Sequence, residues 1–233
     1  MRLSLIAMSG SGKSYWARQL AGAGFKCFSC DEMIASKLFD ELVQPDGSLL
    51  PTAKWMGLPY QPGYLERESK YLAYEKQVLE EIFKIIENNY YDSEKYIVID
   101  TTGSVIYTGA DILNKLRKYT TVVHMETPPQ IQDQMYRTYL ARPRPVLWQG
   151  KFSKKPHETN KEALARCYPE LLAYREQLYK RHAHITIDYD CYRQKGLKAA
   201  DFLKEVNPKK KGSTSKPIRF RAEQGEKGML VKY

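Results

Sequence analysis

The sequence predicts an α/β fold built on a parallel, five-stranded sheet, and three observations carry that expectation. Five short apolar or β-branched runs recur along the 233 residues. Longer stretches with apolar residues at three- and four-residue steps separate them. The composition, 42% hydrophobic and 27% charged, is that of a chain able to bury a core. Strands alternating with helices in this way form a parallel sheet with helices on both faces, and such sheets bind ligands beyond the carboxyl ends of their strands.

Taken in order, residues 3–8, 25–28, 96–99, 121–125 and 184–187 read as the strands. The first is apolar for too few residues to be a secretory signal, and no run reaches the roughly 18 apolar residues of a membrane helix. A cytoplasmic protein without membrane contact is expected. The clearest helix covers 66–86, where Tyr71, Leu72, Tyr74, Val78, Leu79, Ile82, Phe83 and Ile86 repeat at helical spacing. Thr127 followed by Pro128 and Pro129 marks another helix start, because proline suits a first turn.

Two segments interrupt the rhythm. Residues 44–63 are rich in proline and glycine and read as an inserted loop of the kind that covers a site, with Trp55, Tyr60 and Arg67 as candidate pocket residues. Residues 137–157 carry six Lys/Arg and no acid, which suggests a basic lid. The expected organisation is one domain over 1–206, followed by a flexible basic tail over 207–233.

The net charge of +10 is concentrated in those two places, with eight Lys/Arg against two Glu in the tail. Neither resembles a basic stripe interleaved with aromatics along a sheet, so small phosphate-rich molecules account for the charge as well as nucleic acid does. The tail could still hold a nucleic acid, or simply solubilise the chain. Cys27 and Cys30 form a CxxC that could be a redox pair or half a zinc site. No second pair follows, and two cysteines at the end of a short strand is the simpler reading.

The strongest motif is Ala7-Met8-Ser9-Gly10-Ser11-Gly12-Lys13-Ser14, followed by Tyr15 and a helical run. It is the phosphate-binding pattern G-x-x-x-x-G-K-[ST] with Ala7 at the first glycine, in its required place between a strand and a helix. Gly10 and Gly12 let the backbone turn its N–H groups inward as a nest for anionic oxygens. The helix behind adds the positive end of its dipole. In this arrangement Lys13 reaches the β- and γ-phosphates of ATP and the Ser14 hydroxyl ligates Mg²⁺. Asp100, ending the third strand, is a second candidate for Mg²⁺, or else an ordinary strand-ending turn residue.

Over about 1–190 the chain resembles the shikimate kinases, small P-loop kinases of the nucleoside-monophosphate-kinase fold. The likeness rests on Gly10–Ser14, on Asp31 with Ile34, on Arg137-Thr138 seven residues before Arg144-Pro145-Val146-Leu147, on Arg175-Glu176-Gln177-Leu178-Tyr179 with Ala183 and Ile187-Asp188, and on Glu75 with Val78-Leu79. The resemblance implies a P-loop three-layer sandwich with strand order 2-3-1-4-5. It implies Arg144 closing over the nucleotide phosphates, Arg137 near the adenine beside Ser9–Tyr15, and Arg175 gripping an anionic group of the acceptor beside Gly103. Asp31 would orient the acceptor hydroxyl and take its proton, or cap the helix that follows it. Arg175 could instead be a solvated helix arginine.

The chain departs from the family in three places. Ser29 replaces an acid, Leu72 replaces a carboxylate-binding arginine, and Thr102-Gly103-Ser104 replaces three glycines. The nucleotide side is thus retained and the acceptor side altered. The expected activity is transfer of the ATP γ-phosphoryl to a hydroxyl of a small anionic acceptor, by a monomer. A nucleoside or polynucleotide 5′-hydroxyl kinase and a nucleotide-binding pseudokinase are the alternatives.

Overall fold

A computed structural model of the chain describes residues 1–88, 96–141 and 146–207. The first half runs β1 (Arg2–Ile6), α1 (Lys13–Gly22), β2 (Lys26–Ser29), α2 (Cys30–Lys37), α3 (Phe39–Leu42), α4 (Thr52–Met56) and α5 (Tyr64–Asn88). It continues with β3 (Ile97–Asp100), a 3₁₀ turn at Val105–Tyr107, α6 (Ala110–Tyr119), β4 (Thr121–Met125) and α7 (Pro129–Ala141). The last part is α8 (Asn160–His182), β5 (Ile185–Ile187), α9 (Tyr189–Tyr192) and α10 (Ala199–Val206). All five strands are parallel, in the order β2-β3-β1-β4-β5. That is the predicted topology.

The alternation of side chains along each strand sorts them between two apolar layers. Leu3 and Leu5 of β1, Val98 of β3 and Val123 of β4 face α1 and α10, where Trp16 stacks on Phe202 with ring centroids 4.5 Å apart. Ile6, Ile97, Ile99 and Val122 face the opposite way, onto α2, α5, α6 and α8. Among the buried polar strand residues, Ser4 places its Oγ 2.7 Å from Thr120 Oγ1. Helix α5 is amphipathic as its spacing required, burying Tyr71, Val78, Leu79, Ile82, Phe83 and Ile86.

The segment expected to be a loop at 44–63 has structure of its own. Val43 bridges Leu49, and α4 buries Met56 completely while Trp55 packs against the core. Arg67 holds the turn that follows, donating from Nε to the Met56 carbonyl and from Nη2 to the Pro62 carbonyl. Trp55 and Met56 fold the segment down, Tyr60 stays exposed, and Thr52 and Ala53 of the same segment line a cavity. Within the expected basic lid, Val146, Leu147 and Trp148 are buried in the same layer. Residues 142–145 and the tail from 208 lie outside the described residues.

Candidate active site

The carboxyl ends of β1, β2 and β3 stand side by side, because Leu5 and Ser29 both pair with Asp100. Three connections therefore converge on one place. After β1, Gly10 and Gly12 adopt φ values of 90° and 104°, a left-handed conformation that a side chain would strain. Gly12 is the residue before α1 and offers no side chain to cap it. The first-turn N–H groups of α1 are thus left for a ligand. The buried Ser11 hydroxyl also has no hydrogen-bond partner among the described residues. Free donors, an orphan hydroxyl and a helix dipole suit the loop to the anionic oxygens of a phosphate chain.

Lys13 donates to Asp100 Oδ1 at 3.0 Å, and both side chains are almost wholly buried. A lysine beside the nest with one carboxylate partner keeps N–H donors for phosphate oxygens. Asp100 and Ser14 supply the oxygen ligands from which a Mg²⁺ site could start. Among the described residues no group of three or more acidic, histidine or cysteine side chains could cage a metal by itself. One carboxylate and one hydroxyl suit Mg²⁺, which keeps waters and completes its shell from substrate phosphates.

The nest forms one end of a cavity of about 480 Å³. Its remaining wall includes Arg18, Asp31, Thr52, Tyr71, Thr102 and Gly103. Ser29 caps α2, its Oγ accepting from Glu32 N, so Asp31 is not the cap. Asp31 sits exposed in the first turn and accepts a 2.9 Å hydrogen bond from the Tyr71 hydroxyl. With Ser29 as the cap, the Asp31 side chain is left on the cavity wall. Burial, and then the neighbouring Asp31 charge, push the Tyr71 phenol well above its ordinary pKa, so it remains a donor.

After β3, Thr102 and Ser104 both donate to the buried Glu75 carboxylate, Ser104 Oγ at 2.6 Å. Burial raises Glu75 to a pKa of about 7, against the opposing effect of those two hydroxyls. Gly103 lies between them, close to the phosphate loop. A methyl there would come within 3.3 Å of the Ser9 amide nitrogen.

Arg175 is 2% exposed, so it is not a solvated helix arginine, and it donates to the Leu147 carbonyl from Nη2 and to the Tyr107 hydroxyl from Nε. Its Nη1 lies 3.6 Å from where a side chain on Gly103 would begin, though Arg175 itself does not line the cavity. Arg137 is exposed on α7, while its neighbour Thr138 lines a smaller cavity of about 130 Å³ beside Ser9 and Gly10. Met135, Tyr139, Tyr168, Tyr189 and Arg193 line it as well. Arg144 lies outside the described residues. The four cysteines are free thiols, and burial raises Cys27 to about 11 and Cys30 well above the usual range, which suits neither redox nor metal chemistry.

Sequence reasoning missed Arg18, Tyr71, Thr102 and Arg193. Arg18 follows Ser14 by four residues, a spacing that puts both on one helix face. Tyr71 was visible only as part of the apolar stripe of α5. Arg193 follows β5, and its guanidinium carbon lies 3.8 Å from where a side chain on Gly12 would begin.

No protein-family model matches the sequence, and no curated protein matches it. Structures do. Shikimate kinase from Acinetobacter baumannii in complex with shikimate aligns at TM-score 0.54 and 23% identity over 87% of each chain. Shikimate kinase from Aquifex aeolicus aligns at TM-score 0.55 and 16% identity, covering 91% of this chain and all of the other. Shikimate kinase from Bacteroides thetaiotaomicron aligns at TM-score 0.54 and 13% identity over 90% of this chain and 96% of that one. The fold is that of the P-loop small-molecule kinases.

Proposed function

We propose that the protein is an ATP-dependent phosphotransferase that moves the γ-phosphoryl group to a hydroxyl of a small acceptor. The observation that carries this reading is the one cavity holding a phosphate nest at one end and the exposed Asp31 carboxylate on its wall. A nest alone serves any nucleotide-binding protein. A carboxylate across the same cavity, released from helix capping by Ser29, serves transfer.

The chain's own groups have distinct tasks. The amides of Gly10–Ser14 and the Lys13 ammonium hold the β- and γ-phosphate oxygens. Their positive charge acts most strongly as negative charge spreads over the equatorial oxygens of the transition state. Ser14 and Asp100 would hold Mg²⁺, which supplies further charge neutralisation when bound. Asp31 accepts the proton of the attacking hydroxyl, while Tyr71 fixes its carboxylate from the other side. Arg144, next to the anchored Val146–Trp148 stretch, is assigned to the transferring phosphoryl group, and Arg137 with the aromatic cavity around Tyr139 and Tyr189 to the nucleoside. The location proposed is the cytoplasm. No helix among the described residues is long and apolar enough to cross a membrane.

The test is a panel of hydroxyl compounds, shikimate included, incubated with γ-labelled ATP, Mg²⁺ and the purified full chain. Label appearing in an acceptor, and lost in Asp31→Asn, supports the assignment. Tight ATP binding without transfer to any member would identify a pseudokinase instead.

A further inference from the structure

We infer that Arg18 is the cation of this site that binds the anionic group of the acceptor. This rests on the phosphotransferase reading with its small anionic acceptor and names the residue that selects it.

The inference follows from where the cations of the cavity are. Lys13 is committed to the phosphate end and to Asp100. Arg175 is buried, with Nε on the Tyr107 hydroxyl and Nη2 on the Leu147 carbonyl, and is not part of the cavity lining. Arg18 is the remaining cation on the described wall. It is exposed and makes no hydrogen bond or ion pair among the described residues.

Its position on α1 matters. It lies four residues beyond Ser14, about 6 Å further along the helix axis and on the same face. It lines the same cavity wall as Asp31. Thr52, Tyr71 and Thr102 complete that part of the wall with uncharged groups. A ligand there meets one carboxylate and one unpaired guanidinium. Asp31 takes the hydroxyl, and the planar fork of Arg18 suits a carboxylate or phosphate held in two hydrogen bonds.

The experiment uses matched sets differing only in charge: glycerol, glycerate and glycerol 3-phosphate, and cyclic polyols with and without a carboxylate. Transfer from γ-labelled ATP and binding to the protein–Mg·ADP complex, by ligand-observed NMR, are both read. ADP affinity is measured separately. The expected result is preference for the anionic member of a set, reduced roughly 10- to 100-fold in Arg18→Gln and partly restored in Arg18→Lys, with ADP affinity unchanged. Glycerate and glycerol 3-phosphate tell carboxylate from phosphate.

Preference for neutral members, or no engagement of any anionic member, overturns the inference, as does an Arg18→Gln variant with unaltered selectivity. An equal loss of ADP affinity would assign Arg18 to the nucleotide and overturn it too, leaving the phosphotransferase reading intact. If the wild-type chain binds neither ATP nor ADP, both readings fall together.

Discussion

Glu75 offers a test of the site's electrostatics that needs no substrate. Its carboxyl is completely buried under the Thr102–Ser104 turn, and burial raises it from an ordinary 4.5 to about 7. Each pKa unit corresponds to 1.36 kcal/mol of differential interaction, so a shift of this size is worth about 3 kcal/mol. Its sign follows from proton counting. Between pH 4.5 and 7 the native state keeps a proton that the unfolded chain has released. Stability therefore declines as pH rises through that window and is flat with respect to this group above it. A glutamine keeps the shape and an acceptor oxygen for the two hydroxyls but cannot titrate. The assay is urea unfolding of wild type and Glu75→Gln at half-unit steps from pH 4.5 to 8. The wild-type stability minus that of the variant should fall by about 3 kcal/mol by pH 7 and then hold constant. Other titrating groups are common to both chains and cancel. Asp31 adds to the shift from across the cavity wall, so the step should shrink in an Asp31→Asn background. A difference that stays level, or that rises with pH, would refute the account of Glu75 as a buried carboxyl held protonated by desolvation.

Three further outcomes follow from the geometry. Lys13→Ala should abolish transfer while relieving Asp100 of its partner, and wild-type turnover in that variant would remove the loop from the chemistry. Asp31→Asn should lower kcat by roughly 10²- to 10⁴-fold with ATP affinity little changed, the signature of lost proton transfer; equal losses in both would make Asp31 a structural residue. Gly103→Ala would place a methyl 3.3 Å from the Ser9 amide, so the phosphate loop must shift. Weaker ATP binding at near-normal melting temperature is expected by titration calorimetry and thermal unfolding.

The sheet was legible because its strands are short, apolar and bounded by breakers, and the resemblance carried their order. The loop was legible because its motif combines glycines with a required flanking strand and helix. Arg175 was not, since what occupies it comes from Tyr107 and Leu147, 68 and 28 residues away. Periodicity can say that a helix position faces inward, but not that a carbonyl waits there. The same limit hid Tyr71, whose ring belongs to the apolar stripe and whose hydroxyl ends on Asp31. Residues 44–63 misled for a compositional reason. Proline and glycine mark its turns, yet Trp55 and Met56 supply enough apolar surface to fold α4 against the core.

Helix α5 draws these pieces together. Glu68, Tyr71 and Glu75 follow one another at steps of three and four residues, which sets them along one face of the helix. Each meets a different part of the site. Glu68 accepts from the backbone amides of Trp148 and Gln149. Tyr71 holds Asp31, and Glu75 holds Thr102 and Ser104. Three connections that are distant in sequence are thus referenced to one 25-residue rod, itself fixed to the sheet by Val78, Leu79, Ile82 and Phe83. The acidic and phenolic residues in an otherwise apolar stripe are costly to bury unless they are hydrogen-bonded, and here each is. Their presence in the stripe is explained by the loops they hold rather than by the core. Leu72, pointing off that line into the apolar layer, has no such partner to hold. The cation proposed for the acceptor accordingly stands on another element, α1, as Arg18.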